Sequence, residues 1–585
     1  MVKQAESWRR SARLSTMRGI PWRLLGAGAL TALLLDLPFP LAGPLPVWRS
    51  VFAWFALVPL LVGILRLPQA FPEEKRRWRL RWAFLAGWLS GAIWFGANCY
   101  WVYDTMHLYA GLNEPMAVLS LVLFSLYLGF WFGVFALALA VVREATFDRK
   151  NAWQGFAAIP FLWTAMEFAI ARIPGFPWDQ LGYSQIDNGL LMRLAPWTGV
   201  YGVTFVLAAF NALQVWVRLL PRTKPETWNR RAFIHPTEYG LVMFVALNFA
   251  TSTRLVLPPK PEGEAMAMLV QPNLNVASDD VWVGPEWDRQ MAQFAELVRQ
   301  TCKGYMAGLP ETGLGVSAPD CDIHQRPSLV VWPESPAPFR DADPKFQAAM
   351  RSVVETDKAP MIVGAIGMDA DQTTQQYRIY NSASVFAQDG HVAGRYDKMH
   401  LVPFGEYIPA QNLFFFLHKV TASLPDTDAG TERKVFRLNG RRYGVFICYE
   451  SVFGDEVRQF TRLGAEVLVN ISDDGWYGDS SAPWQHLNMA RMRAIENRRW
   501  ILRDANNGVT AAIDPYGTVR QSIPRHQVDA LAAQYGYSSE MTFYTRHGDW
   551  FAGLCAILSL ALLLGSTRVL LWGNTPKNSI AQTEP

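Results

Sequence analysis

Two kinds of hydrophobic pattern divide the chain. From Leu24 to about Val256 the apolar residues run in long segments, near 24–41, 50–66, 82–103, 114–142, 153–172, 195–220 and 239–256, and an eighth extends from about Trp550 to Leu571. Most approach the roughly 20 residues that a helix needs to cross a hydrocarbon core. The pattern therefore predicts a polytopic α-helical membrane bundle of about eight spans. The first two segments are short and broken by Asp36, Pro38 and Pro59, which suits a re-entrant pair. Asp36 and the prolines follow the first stretch with no clear small-residue cleavage site, which argues against a cleaved signal peptide.

Between about 257 and 548 the apolar runs shorten. AMAMLVQPN (265–273), SLVVWPE (328–334), PMIVGAIG (360–367), NSASVFA (381–387), YGVFICYE (443–450), AEVLVNIS (465–472) and GVTAAIDP (508–515) have the length and composition of strands. EWDRQMAQFAELVRQ (286–300) and HLNMARMRAIENRRW (486–500) place apolar residues three and four apart, as helices do. A layered α/β domain is expected here. The expected division is a membrane domain over 1–256, an α/β domain over 257–548, and a last transmembrane helix with its tail over 549–585.

Half of the 585 residues are hydrophobic, with 24 Trp and 34 Phe, and only 18% are charged. That surplus of apolar material calls for membrane spans as well as a globular core. A net charge of +4 points to no nucleic-acid partner, but the basic residues are placed asymmetrically. Lys3, Arg9, Arg10, Arg13, Arg18 and Arg23 precede the first span, and Arg66, Lys75, Arg76, Arg77, Arg79 and Arg81 lie between the second and third. Arg143, Arg149 and Lys150 follow the fourth, and Arg218, Arg222, Lys224, Arg230 and Arg231 surround the end of the sixth. Alternate loops hold only Arg49, Arg172, Arg193 and Arg254. The basic segments are then cytoplasmic, with both termini inside and residues 257–548 outside. In a bacterium with two membranes, that places them in the periplasm.

Candidate chemistry gathers at strand ends. RRYGVFICYES (441–451) delivers Cys448 to the end of a β-favouring run, Glu334 ends SLVVWPE, and Lys398 stands in YDKMHLVPFGEYIP. A thiol, a carboxylate and an ammonium are the equipment for acyl transfer through a thioester. A cysteine in an apolar strand is otherwise a small buried hydrophobe, so the reading rests on the company Cys448 keeps. No metal-spaced Cys/His cluster or phosphate-cradling glycine loop is present, so neither a metal nor a cofactor is expected. No dimer motif assigns an oligomeric state.

VVWPES, YDKMHLVPFGEYIP and FICYES, followed by NISDDGWYGDSSAPWQH and RAIENRR, resemble the nitrilase superfamily. Together with the spans and GFPWDQLGYSQ (175–185), the chain resembles the apolipoprotein N-acyltransferase family of bacterial inner membranes. The resemblance implies an αββα sandwich on a membrane bundle and a catalytic triad at Glu334, Lys398 and Cys448. It also implies a phospholipid acyl donor and a diacylglyceryl apolipoprotein acceptor. Glu334 is the implied general base and acid, and Lys398 the implied support for the oxyanion and the thiolate. Glu406 matches a further glutamate of the family that would hold Lys398; a surface salt bridge is its other reading. Tyr449 and Glu450 match the family's residues after the nucleophile, where backbone amides can bind the oxyanion. In a strand the two side chains point to opposite faces, so at least one is expected to pack or anchor.

Pro177, Trp178, Gln180 and Tyr183 match the family motif between the fifth and sixth spans, either as a substrate groove or as an interfacial aromatic belt. Trp476 and Tyr477 line an acyl channel or fill the core. After Gln271 and Asn273 the family has a functional tryptophan; Trp282 and Trp287 both qualify, and Trp287 is favoured. Glu167 is expected to face the bundle interior. Arg491, Arg493, Glu496, Arg498 and Arg499 look like structural ion pairs. Cys302 and Cys321 can form a disulfide in an oxidising compartment, whereas Cys99 and Cys555 fall in apolar spans as packing residues. Two other classes compete. A nitrilase-type amidase shares the triad but has no use for membrane spans, and a non-enzymatic scaffold or transporter has no use for the triad.

Overall fold

The computed structural model describes residues 21–72, 74–146, 153–219, 263–276, 284–299, 326–334, 338–370, 377–407 and 427–572. Its first part is helical: α1 (Trp22–Asp36), α2 (Val58–Ala70), α3 (Arg76–Asn98), α4 (Glu114–Ala145), α5 (Trp153–Arg172) and α6 (Val200–Leu219). The start of α4 is typical of its local chemistry. Asn113 accepts a hydrogen bond from the Met116 N–H, and a proline occupies the first turn, where no N–H is needed.

Among the described residues four segments, not eight, are long and apolar enough to cross a membrane: Val47–Ala70, Glu114–Ala145, Val200–Leu219 and Trp550–Leu571. The shortfall has a physical cause. α1 has only 15 residues. α3 opens on Arg76, Arg77, Arg79 and Arg81 and then relies on Trp, Gly and Ser rather than aliphatics. α5 carries Gln154, Pro160 and Glu167. These helices gain their apolar surroundings from one another instead. The second segment, expected as half of a re-entrant pair, has the composition of a full span, while the seventh, 239–256, lies outside the described residues.

Small residues set the α3–α4 crossing. A Cβ on Gly91 would stand 2.7 Å from Gly129 Cα, and one on Gly129 would stand 2.8 Å from Ala92 Cα. The two backbones therefore touch, as helices do in lipid where packing replaces the hydrophobic effect. Gly129→Leu is expected to cost at least the upper end of the ~1–3 kcal/mol of ordinary overpacking, because the obstacle is backbone that cannot rotate away. Gly26→Ala, with nothing within 4 Å, should leave stability unchanged. Thermal melting of the two variants in detergent checks the contrast.

Among the described residues the α/β part holds twelve strands in two six-stranded sheets. The first sheet, ordered β12-β1-β2-β3-β4-β5, contains β1 (Glu264–Gln271), β2 (Leu329–Trp332), β3 (Met361–Ala370), β4 (Tyr377–Phe386), β5 (Val392–Asp397) and β12 (Asp529–Gly536). The second, ordered β11-β10-β9-β8-β7-β6, contains β6 (Val435–Leu438), β7 (Arg441–Ile447), β8 (Val467–Ser472), β9 (Ile501–Ala505), β10 (Thr510–Ile513) and β11 (Val519–Ile523). The centres are parallel, β1-β2-β3 in one sheet and β7-β8-β9 in the other, and the flanks antiparallel. Alternation sorts the faces: Ala267 and Leu269 of β1 enter the core shared with the second sheet, while Met266, Met268 and Val270 face α7 (Gly284–Arg299) and α8 (Pro344–Asp357). α9 (Gly454–Arg462) and α10 (Ala482–Asn497) belong with the second sheet, which gives the expected αββα layering.

α10 joins the two parts. Leu487, Ala490 and Ala494 pack into the sheet core, whereas Met489, Met492 and Ile495 enter the core of the helical bundle. A helix buried on both sides needs apolar residues around its circumference, which this one has. Further out, Arg172 at the end of α5 pairs with Asp455 of α9 at 3.1 Å and with Asp549 at 2.5 Å, just before α11 (Trp550–Trp572).

Candidate active site

Each reactive group follows a strand by one or two residues: Glu334 after β2, Lys398 after β5, Cys448 after β7. A strand is a rigid support, and the chain leaving its end is free to turn a side chain into the cleft between the sheets. All three are buried, Glu334 at 6%, Lys398 at 1% and Cys448 at 5% exposure.

Lys398 Nζ lies 3.2 Å from Glu334 Oε1 and 3.0 Å from Glu406 Oε2. Asn381 Nδ2 donates to Oε1 of both glutamates at 2.7 Å. The remaining oxygens take backbone donors, Glu334 Oε2 from Asp473 N–H and Glu406 Oε2 from Val402 N–H, both at 2.8 Å. Glu406 is therefore part of the buried cluster and not a surface bridge. Burial opposes the Lys398 charge, but Glu334, Glu406 and Cys448 outweigh it and hold the ammonium pKa well above the ordinary lysine value. For Cys448 the balance goes the other way. Burial and the Glu334 charge push the thiol well above its ordinary value, with Lys398 opposing. The resting group is a thiol, and it needs a base to become a nucleophile.

β7 ends at Ile447, so residues 448–452 form a 3-10 turn and not the strand continuation expected from the sequence. Cys448 adopts φ 48°, a left-handed backbone that a side chain disfavours. Glu450 secures this turn. Its Oε2 accepts from Ile447 N–H at 2.7 Å, and its Oε1 from Tyr396 Oη and Met399 N–H, each at 2.7 Å. Glu450 thus ties the nucleophile's turn to the Lys398 loop, and burial pushes its carboxyl up to about 7 against these donors. Tyr449 Oη donates to Gly175 O in the bundle at 3.0 Å.

The membrane part closes round the turn. Trp178 Nε1 donates to Gln485 Oε1 at 2.8 Å, and the Trp178 ring meets Tyr477 and His486. Tyr477 also packs edge-on against Trp101, while Trp476 packs against Tyr109. Pro177 and Gln180 are buried and line a cavity between bundle and α/β domain with His400 and Val452. Tyr183 is drawn away from any lipid-facing groove, since its hydroxyl accepts from Arg493 Nη2 at 2.9 Å. Arg493 in turn pairs with Glu496 at 3.1 Å. Glu167 faces inward and accepts from Trp163 Nε1, Leu181 N–H and Thr204 Oγ1.

Trp287 is not brought to this cluster. It lies on α7 in the outer layer of the first sheet, with Lys345 Nζ 4.1 Å above its ring. The alternative Trp282, and the pair Cys302 and Cys321, lie outside the described residues. Sequence reasoning passed over Asn381, Asp473 and His486. All three stand within quoted motifs, NSASVFA and NISDDGWYGDSSAPWQH, but their part is to donate hydrogen bonds from an amide, a backbone N–H and a ring nitrogen. Among the described residues no group of acidic, His and Cys side chains has the form of a metal site.

Residues 31–213 match the Apolipoprotein N-acyltransferase N-terminal domain family, and residues 287–533 the Carbon-nitrogen hydrolase family. The apolipoprotein N-acyltransferase of Geobacter metallireducens is 31% identical over 93% of this chain and 96% of its own length. That of Pseudomonas aeruginosa strain PAO1 is 31% identical over 92% of this chain and 95% of its own. Among solved structures, Saccharomyces cerevisiae Nit3, a member of the nitrilase superfamily, aligns at 16% identity over 48% of this chain and 93% of its own, with a TM-score of 0.33. Similar along nearly its full length to enzymes that modify lipoproteins, this multi-pass membrane protein belongs to the apolipoprotein N-acyltransferase family.

Proposed function

We propose that the chain transfers an acyl group from a membrane phospholipid, through a thioester on Cys448, to the α-amino group of the diacylglyceryl cysteine at the N-terminus of an apolipoprotein. In the first half, Glu334 takes the thiol proton as Sγ bonds to the ester carbonyl carbon. Lys398 Nζ and the Tyr449 N–H stabilise the resulting oxyanion. Collapse breaks the ester C–O bond, and Glu334 returns the proton to the departing lysophospholipid alkoxide. In the second half the neutral amine attacks the thioester, the C–N bond forms, the C–S bond breaks, and Glu334 passes the amine proton to sulfur.

The observation that carries this reading is where the nucleophile's turn sits. Tyr449, Val452 and Tyr477 are part of the apolar core of the membrane bundle, so the walls round Cys448 are shared with helices that face lipid. A hydrolase of soluble amides gains nothing from that arrangement. It also suits a thioester that must exclude water until the amine arrives. In this reading residues 1–256 and 549–585 embed the enzyme, and residues 257–548 carry the chemistry in the periplasm. The excess of arginine at the end of α3 remote from Asn98 and the site, Arg76, Arg77, Arg79 and Arg81, supports a cytoplasmic location for that end.

The acceptor decides the test. Purified enzyme with mixed phospholipid micelles and a synthetic diacylglyceryl-cysteinyl peptide should release lysophospholipid and acylate the peptide, with parallel double-reciprocal plots. The same peptide with an acetylated α-amine should not react. Hydrolysis of a simple amide with no transfer to the free peptide would replace this reading with the amidase.

A further inference from the structure

Behind Cys448 lies a charged cluster that the reaction above does not use. His486 on α10 faces the Cys448 carbonyl oxygen through Nε2 at 3.0 Å, and since a carbonyl only accepts, Nε2–H donates to it. The other ring nitrogen, Nδ1, is 2.9 Å from Asp474 Oδ1. Asp474 also accepts from Ser472 Oγ at 2.9 Å and from Arg503 Nη2 at 2.7 Å, and Arg503 reaches Asn470 Oδ1 with its other terminal nitrogen. His486, Asp474 and Arg503 are all fully buried. Burial works against the Asp474 charge, yet Arg503 and His486 overcome it and hold this carboxyl well below the usual carboxylate range.

Such a cluster is poor evidence for stability alone, because apolar residues of the same volume serve a core as well or better. What it supplies is one immobile N–H aimed at one carbonyl. The C=O and N–H of a trans peptide lie in one plane and point in opposite directions. Holding the Cys448 oxygen toward α10 therefore turns the Tyr449 N–H the other way. Glu334 and Lys398 follow strands of the first sheet, whereas α10 belongs with the second. The same hold fixes the left-handed backbone of Cys448, which is otherwise strained. Trp178 of the bundle lies nearly parallel to the imidazole, 6.0 Å between centroids and 19° between planes, and the neighbouring Gln485 bonds Trp178 and Asn98.

We propose that His486 is a positioning residue for acyl transfer: through its bond to the Cys448 carbonyl it orients the Cys448–Tyr449 peptide so that the Tyr449 N–H meets the oxyanion. This rests on the thioester reading given above. Two reactions of the same thiol separate the role from simple support of the fold. Acylation by phospholipid develops an oxyanion, whereas displacement on iodoacetamide develops none at a carbonyl.

Full-length enzyme in micelles of detergent, phosphatidylethanolamine and phosphatidylglycerol is assayed for acyl-enzyme formation by intact mass and, separately, for the rate of iodoacetamide alkylation at Cys448. His486→Leu should slow acylation about 10²-fold, the loss expected for one oxyanion donor, with alkylation unchanged. His486→Gln, whose amide N–H reaches the same carbonyl, should recover most of the acylation rate. Acylation of His486→Leu at the parental rate overturns the proposal. So does a change in alkylation that tracks the change in acylation, since that is the mark of a disordered site. Absence of an adduct in the parent overturns the thioester reading and this inference with it.

Discussion

Cys448→Ser is expected to abolish turnover, by at least ~10⁴-fold, the order seen when a nucleophile is removed from a catalytic set that acts as a unit. The parent, incubated with phospholipid, is expected to gain the mass of one acyl chain and lose it to hydroxylamine; the serine variant should gain none. The reason lies in the environment of the thiol. Burial and the Glu334 charge raise its pKa, so in the proposed mechanism activation depends on proton transfer to Glu334. An alcohol is a far weaker acid than a thiol, and a carboxylate that suffices for sulfur does not suffice for oxygen. The substitution is nearly isosteric at a position only 5% exposed, so the fold should survive it. Cys99 and Cys555 are also free and buried, and the adduct should persist in Cys99→Ser and Cys555→Ser. An adduct that survives Cys448→Ser would remove the thioester from the mechanism.

Lys398→Met carries two separable losses. The first is catalytic: an oxyanion left without its ammonium should slow acylation by ~10²–10³-fold. The second is structural. Lys398 is the ammonium between Glu334 and Glu406, and its removal leaves two buried carboxylates facing each other, at a cost of about 3–5 kcal/mol. The pH dependence follows from the sign of the shift. The folded pKa of Lys398 lies above its ordinary 10.5, so its stabilising contribution is complete below that value and is lost only as the pH rises through the higher folded value. The parent should therefore show no loss from this group anywhere near neutrality. The methionine variant should be least stable relative to the parent at neutral and alkaline pH. It should regain ground in acid, as the two carboxyls take up protons. Melting temperatures of both proteins across pH 4 to ~9, read beside acylation rates, distinguish the two losses. A variant that melts like the parent at every pH would contradict the buried cluster.

Some of this molecule is legible one residue at a time. Strand ends are visible at Glu334 and Cys448 because β-favouring runs stop there, whereas the strand before Lys398, Val392–Asp397, carries no such run; long apolar runs mark the helices of the bundle. The positions of Arg79 and Arg143 mark one end of that bundle. Other features depend on partners distant in the chain. Among the described residues fewer segments than expected have the composition of a span, because α3 and α5 carry Trp, Gly, Pro and charged residues among their apolar ones. Trp287 has the right spacing for a site residue but lies on the helix face of its sheet, where Lys345 covers it. For Glu406 the sequence leaves a surface salt bridge as an alternative to holding Lys398, and only the structure shows Asn381 and Lys398, 25 and eight positions away, bonded to it.

The sequence by itself therefore carried the two kinds of hydrophobic pattern, the family, and the motifs that hold Glu334, Lys398 and Cys448. These depend on hydrophobic period, on charge placement and on short motifs, all of which are local. Tertiary structure alone decided that Cys448 rests as a protonated thiol in a left-handed turn, that one lysine serves two glutamates, and that the turn is walled by the bundle. Each of these is a property of distance and burial between residues apart in the chain, by eight and 64 positions for Lys398 and its two glutamates and by hundreds for Tyr449 and Gly175 or Trp178 and Gln485. A pKa or a backbone conformation is set by the field and the hydrogen bonds that the assembled neighbours supply.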